Sequence, residues 1–254
     1  MKKVNLSDHI IICGWNFQGE RILQNLLNSG SIPRREIVVL ANTKQRPSKN
    51  ERIDFVSGDP TQDEALIRVG VKTANSVLVL TDLTKQANEA DAEALMIVLA
   101  VESLNRDVHT CVQIVNSSNR RHMERAHADE IICLDLMGGN LLTASAINHG
   151  ISRVITELLT FNSGSEFYRY DGHLSDKVVG KEFFEVVQMF VQQRIILIGF
   201  ETDNSEELRK NLSTDVLHVA ENGKRLIVAN PQNPYKIRQG DALFLIAESE
   251  PAEL

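Results

Sequence analysis

The sequence predicts an α/β protein: a doubly wound parallel sheet, then a long helix, then a smaller α+β lobe. Three observations predict it. Short apolar runs alternate with helix-like segments through residues 1–137, that beat stops at Gly138-Gly139, and residues 164–254 change to short strands around one helix. Runs of four to six apolar residues without polar alternation suit strands buried on both faces, as in a parallel sheet covered by helices. The strand runs fall at 9–13, 36–40, 54–56, 76–80, 110–115 and 130–134. Helical patterns lie between them at 17–28, 61–69, 85–104 and 118–126. Such β-then-α units imply a doubly wound sheet. In the third unit, Thr61 with Glu64 has capping-box spacing, and Gly70 is placed to close the helix.

A single helix is expected over 140–160, because Leu141, Leu142, Ala144, Ile147, Ile151, Ile155 and Leu158 recur at spacings of three and four and give it a face to bury. The turn-rich connector Phe161-Asn162-Ser163-Gly164-Ser165 follows. Strands are then expected at 166–170, 194–200, 225–229 and 242–247, with a helix at 181–191. The expected organisation is a sheet lobe at 1–137, a crossover helix and connector at 138–163, and a C-terminal lobe at 164–254.

Composition narrows the function classes. The chain has 254 residues, 43% hydrophobic and 24% charged, within the range of folded globular proteins. Its formal net charge of −7, with no block of basic residues, disfavours nucleic acid as a partner. The longest mostly apolar stretches, 94–101 and 195–200, fall far below the roughly 20 residues needed to cross a bilayer. Met1-Lys2-Lys3 runs into polar residues without a signal-peptide core, so a cytoplasmic location is expected, for the chain alone or as part of something larger. Cys13, Cys111 and Cys133 are odd in number, each lies in an apolar run, and they read as core thiols.

Candidate binding residues gather in the turns after the first four strands. The first turn, Gly14, Trp15, Asn16, Phe17, Gln18 and Gly19, matches the dinucleotide fingerprint G-x-G-x-x-G at its first and third glycines, with Asn16 at the second. Gly14 permits the tight turn and Gly19 close helix packing. The missing glycine is the one that lets backbone approach a pyrophosphate, so Asn16 narrows the site or favours a smaller phosphate ligand. The helix N-terminus still offers N–H groups to an anion; the competing reading is a turn kept for packing. Asn42, where an acidic residue normally meets the ribose diol, has Lys44 and Arg46 beyond it, which would tolerate an added phosphate; the alternative is a solvated surface turn. Asp59, in Gly58-Asp59-Pro60, suits a helix cap, a contact to a nucleotide or a divalent-cation ligand. Thr81 and Asp82 complete the set, and the four turns converge on one crevice. His122 and His127 are poorly spaced for a shared metal, and Glu89, Asp91 and Glu93 read as a solvated acidic face, with weak divalent-cation binding as the alternative. No nucleophile elbow or comparable catalytic signature occurs.

These residues carry a resemblance. His9-Ile10-Ile11-Ile12-Cys13-Gly14-Trp15, Leu40-Ala41, Gly58-Asp59-Pro60 and Ala128-Asp129 before Glu130-Ile131-Ile132 are similar to the RCK (regulator of potassium conductance) domains of prokaryotic ligand-gated potassium channels, relatives of the Ktr and Trk uptake subunits. The similarity continues into Val179-Gly180-Lys181 and Ile237-Arg238-Gln239-Gly240-Asp241, which resemble the family's C-terminal lobe. The resemblance implies a Rossmann-like lobe with a TrkA-N-like sequence, a crossover helix joining two copies, and a TrkA-C-like lobe. It also implies a homodimer, eight lobes in a ring under a potassium-channel pore domain at the inner face of the membrane, and gating by population shift. The ligands it implies are an adenine nucleotide (NAD(H), ADP, ATP or AMP) and calcium or another divalent cation, with Asp59 as the metal ligand.

This sequence departs from the family at the fifth strand, where one well-known calcium site has two acidic residues and this chain has Gln113 and Val115. That loss removes most of the charge a hard cation needs. The stretch 200–225 also looks lengthened, with a role the sequence does not assign. The leading expectation is a non-enzymatic gating-ring domain. The alternatives are a peripheral regulatory subunit of a Trk/Ktr-type uptake transporter and an NAD(P)-dependent oxidoreductase, the latter short of residues for a substrate domain.

Overall fold

The computed structural model describes residues 4–29, 36–161, 164–203, 217–219 and 225–251, the strand 217–219 by its backbone alone. The chain divides into two compact units, Met1–Asn148 and His149–Leu254.

The first unit runs β1 (Ile10–Cys13), α1 (Gly19–Asn28), β2 (Ile37–Ala41), β3 (Ile53–Ser57), α2 (Asp63–Arg68), β4 (Ser76–Val79), α3 (Ala87–Leu104), β5 (His109–Ile114), α4 (Arg120–Arg125), β6 (Glu130–Cys133) and α5 (Leu134–Ile147). The six strands form one sheet in the order β3-β2-β1-β4-β5-β6. The pairs are all parallel; Ile10 lies beside Ile37 on one flank and Ser76 on the other. This is the doubly wound order, and chain direction reverses between β1 and β4. Every residue of β1 and β2 is buried, which accounts for their unbroken apolar runs. One face packs Val38, Leu40, Val77 and Val79 with Leu66, Ala94, Val98 and Val101; the other packs Ile12 and Val39 with Leu23 of α1. Cys13 lies wholly inside, and burial pushes its thiol up to about 12, as expected of a core thiol.

Local departures from expectation have physical causes. The second helix, α2, begins at Asp63 rather than Thr61, and Gln62 at its N-cap makes no side-chain cap. Asp59 takes the neighbouring donors instead: its Oδ1 accepts from the Thr61 N–H (2.9 Å) and the Thr61 hydroxyl (2.8 Å). Gly70 does follow the helix in a left-handed conformation, φ +77°. The expected acidic face on α3 is not all solvated. Asp91 is buried, and its carboxylate accepts from the N–H groups of Val115 and Asn116 and from the Asn119 amide.

The expected helix over 140–160 is two helices. The first, α5, starts directly after β6 and carries Gly138-Gly139 within it, then ends at Ile147. Asn148 is extended, Gly150 turns left-handed at φ +96°, and α6 (Ile151–Leu158) begins. Neither helix buries a residue; Leu142 and Ile147 are both 74% exposed.

The second unit continues with β7 (Glu166–Tyr170), α7 (Phe183–Val191), β8 (Ile196–Thr202), β9 (Leu217–Val219), β10 (Leu226–Ala229) and β11 (Ala242–Ala247). These strands form an antiparallel sheet in the order β7-β11-β8-β10-β9. Glu182 and Glu185 form a reciprocal capping box at the start of α7. Phe183, Val186 and Phe190 of α7 pack on Phe200, Leu243 and Leu245, and Tyr235 stacks on Phe200 at 4.0 Å. The stretches 179–181 and 237–241 are brought together: Gly180 N–H donates to Ile237 O (2.8 Å) and Ile237 N–H to Lys181 O (3.0 Å). Most of the lengthened stretch 200–225, namely 204–216 and 220–224, lies outside the described residues, as do 162–163 of the connector.

Candidate functional site

The carboxyl ends of β1 to β4 and one side of α3 enclose a cavity of about 320 Å³ in the first unit. Gly14 and Trp15 line it from the β1 turn; Ala41, Asn42, Thr43 and Pro47 from β2 and its loop; Pro60 after β3; Leu80 and Asp82 after β4; Glu93 and Ile97 from α3. Open α/β sheets bind ligands at this edge, beside the strand-order reversal.

Gly14 is fixed by geometry. Its φ is +81°, and a Cβ there would stand 2.4 Å from the Leu80 carbonyl oxygen. Only glycine lets β1 turn this close to the end of β4. Gly19 is required for a different reason from the one expected: the Trp15 indole lies across it, 2.7 Å from where a Cβ would be. Trp15 thus rests on the start of α1 while lining the cavity.

Asn16, at the position of the second glycine, is the centre of a cross-tie. Its amide donates to Thr81 O (2.9 Å) and to Gln113 Oε1 (2.8 Å), and its Oδ1 accepts from the Gln18 N–H (2.9 Å). Gln113 Nε2 donates to Gln18 Oε1 (2.7 Å), its Oε1 also accepts from the Thr81 N–H (3.2 Å), and the Thr81 hydroxyl donates to its backbone carbonyl. Thr81 and Gln113 are buried. The turn after β1 is therefore bolted to the ends of β4 and β5.

The polar rim of the cavity is anionic but partly balanced. The Asp82 carboxylate accepts from the Thr84 hydroxyl (2.6 Å) and N–H (3.0 Å), and these bonds, with Lys85 nearby, hold it below the usual carboxylate range. Lys85 donates to Glu93 at 2.8 Å, which raises the ammonium's pKa, and stands 3.9 Å from Asp82. Arg46 does not reach the cavity. Its guanidinium donates to the carbonyls of Ser48, Asn50 and Ile53, stapling its own loop, so the expectation that it would welcome a second phosphate is not met.

Of the ten residues expected at the site, the cavity gathers Gly14, Trp15, Asn42 and Asp82. Asn16, Gln18 and Thr81 stand behind it in the cross-tie, Gly19 beneath Trp15, and Asp59 holds Thr61 next to Pro60. Phe17 is 82% exposed and takes no part in the lining. Among the described residues no group of three or more His, Cys, Asp or Glu side chains is placed to hold a metal ion, so neither Asp59 nor the His122–His127 pair gains partners. Gln113 spends its side chain on the cross-tie. Glu93 and Ile97 line the cavity without a motif; only the turn-by-turn fall of α3 across the sheet edge brings them there.

Comparison with known proteins agrees with this architecture. Residues 10–134 match the TrkA-N domain model. The chain is 26% identical over 158 residues to the calcium-gated potassium channel TvoK of Thermoplasma volcanium, covering 61% of this chain and 44% of that protein. It is 23% identical over 181 residues to the voltage-gated potassium channel Kch of Escherichia coli, covering 69% of this chain and 41% of that protein. Its fold matches the human SLO3 gating ring with a TM-score of 0.68 at 19% identity, over 95% of this chain and 44% of that one. The chain thus spans less than half the length of each of these relatives. No helix among the described residues is long and apolar enough to cross a membrane. The TrkA-N match runs from the first strand of the parallel sheet to its last, so the first unit is a TrkA-N-like domain.

Proposed function

We propose that this chain is the regulatory domain of a potassium channel, which binds an adenine nucleotide at the carboxyl edge of its parallel sheet, assembles with copies of itself and biases the opening of a pore at the inner face of the membrane. The observation that carries the reading is the cavity: a concave site at the strand-order reversal, floored by the glycine turn and fitted with an uncharged amide, Asn42, at the ribose position. Asn42 and Thr43 suit ribose hydroxyls, while Trp15, Pro47, Pro60 and Leu80 suit a base. Self-association is supported by α5 and α6, apolar helices with no buried residue.

A ligand acts on such an assembly only through unequal affinity for its two shapes. Trp15 is the only tryptophan in the chain and lines the cavity, so it reports occupancy directly. Titration with ADP is expected to change Trp15 fluorescence saturably and to raise the melting temperature with ligand concentration. Flat fluorescence together with an unmoved melting temperature, for ADP, ATP, AMP and NAD alike, contradicts the reading.

A further inference from the structure

A dinucleotide lies across the strand-order reversal of a doubly wound sheet, one mononucleotide over each half, and its pyrophosphate passes the second glycine of the fingerprint. In this chain that passage is closed. Asn16 stands at the second-glycine position and reaches across to Thr81 and Gln113, and Gln113 reaches back to Gln18. The closing side chains come from three separate elements, and Thr81 and Gln113 are buried, so the bar is part of the packed sheet edge. The cavity stops where the bar begins. Its lining comes from the ends of β1 to β4 and from α3, and among the described residues none from β5 or β6 contributes. Its size, about 320 Å³, is also at the small end for ligand pockets, which run from roughly 300 to 1,000 Å³.

We propose that the cavity is a mononucleotide site, taking an adenosine phosphate, and that Asn16 and Gln113 are the positioning residues that bar the second nucleotide of a dinucleotide. This rests on the cavity being the nucleotide site and specifies which class of nucleotide enters. A dinucleotide could bind only by breaking the bonds of Asn16, which would cost the buried Gln113 amide one of its three partners.

The test is calorimetric titration of the intact chain with ADP and with NAD, repeated on Asn16→Gly and Gln113→Ala. In the parent protein NAD is expected to bind at least about ten-fold more weakly than ADP. Asn16→Gly, which restores the fingerprint, is expected to narrow that ratio to about three-fold or less, and Gln113→Ala to narrow it in the same direction. A change in the ratio separates a barrier from a merely structural tie, because loss of stability alone weakens both ligands together. NAD binding as tightly as ADP in the parent, or a ratio unmoved in every variant that folds, overturns the proposal while leaving the nucleotide site standing. Absence of binding by both ligands to the parent overturns the site itself and the proposal with it.

Discussion

Gly14 sets the geometry of the site. With φ at +81° and the Leu80 carbonyl only 2.4 Å from a would-be Cβ, Gly14→Ala incurs both backbone strain and a clash with main chain that cannot swing aside. Its expected cost is ~2 kcal/mol or more in a urea melt, with loss of the ADP response at Trp15. A second residue gives a pH signature at the opposite edge of the sheet. Burial, reinforced by the nearby Asp129 carboxylate, raises the pKa of Glu102, although the Thr110 hydroxyl donates to it at 2.7 Å. A carboxyl whose folded pKa is raised favours folding while protonated and loses that contribution as pH rises through its folded value. Glu102→Gln keeps an acceptor for Thr110 and removes the charge. The variant is therefore expected to be more stable than the parent near pH 7, the gap closing as pH falls through the raised folded value and Glu102 regains its proton. A gap independent of pH would contradict the assignment. Single residues were unevenly legible in the sequence. Gly14 announced itself through its place after an apolar strand, whereas the bonds tying Asn16 to Gln113 and Asp91 to Val115 join residues 97 and 24 positions apart, and no local pattern encodes such a partner.

At the scale of elements, the strands were the most legible because burial on both faces forces unbroken apolar runs, and β1, β2 and β4 lie where those runs fall. The ends of helices were less so. Thr61 has the right spacing for a cap, yet Asp59 competes for its donors and moves the helix start to Asp63. The stretch 140–160 misled in an instructive way: its apolar spacing continues through the break, and one left-handed glycine, Gly150, is enough to divide the helix. The division leaves α5 apolar all round and α6 with one apolar face, and neither buries a residue. If those faces join two copies of the chain, Ile147→Glu with Ile151→Glu is expected to convert the parent oligomer to monomer in light scattering, with little change in melting temperature for the monomeric fold. An unchanged mass would place the interface elsewhere.

For the whole molecule, the sequence pointed to a doubly wound parallel sheet followed by a smaller α+β lobe, and the fold has a parallel sheet followed by a smaller lobe whose strands pair antiparallel, a pairing no local pattern specified. The sequence foretold the crevice as well, since the turns after four strands of a doubly wound sheet must share one edge. What it did not contain was the bar across that crevice or the emergence of α3 as one wall. The proposed function requires that filling the cavity change how copies of the chain fit together, because a ligand shifts an assembly towards the shape it binds best. The most direct measurement is small-angle X-ray scattering of the assembled protein with and without saturating ADP, with Gly14→Ala alongside as a control. The account predicts a ligand-dependent change in the parent's scattering profile at constant mass, absent in Gly14→Ala; identical profiles for the parent with ADP demonstrably bound at Trp15 would contradict it.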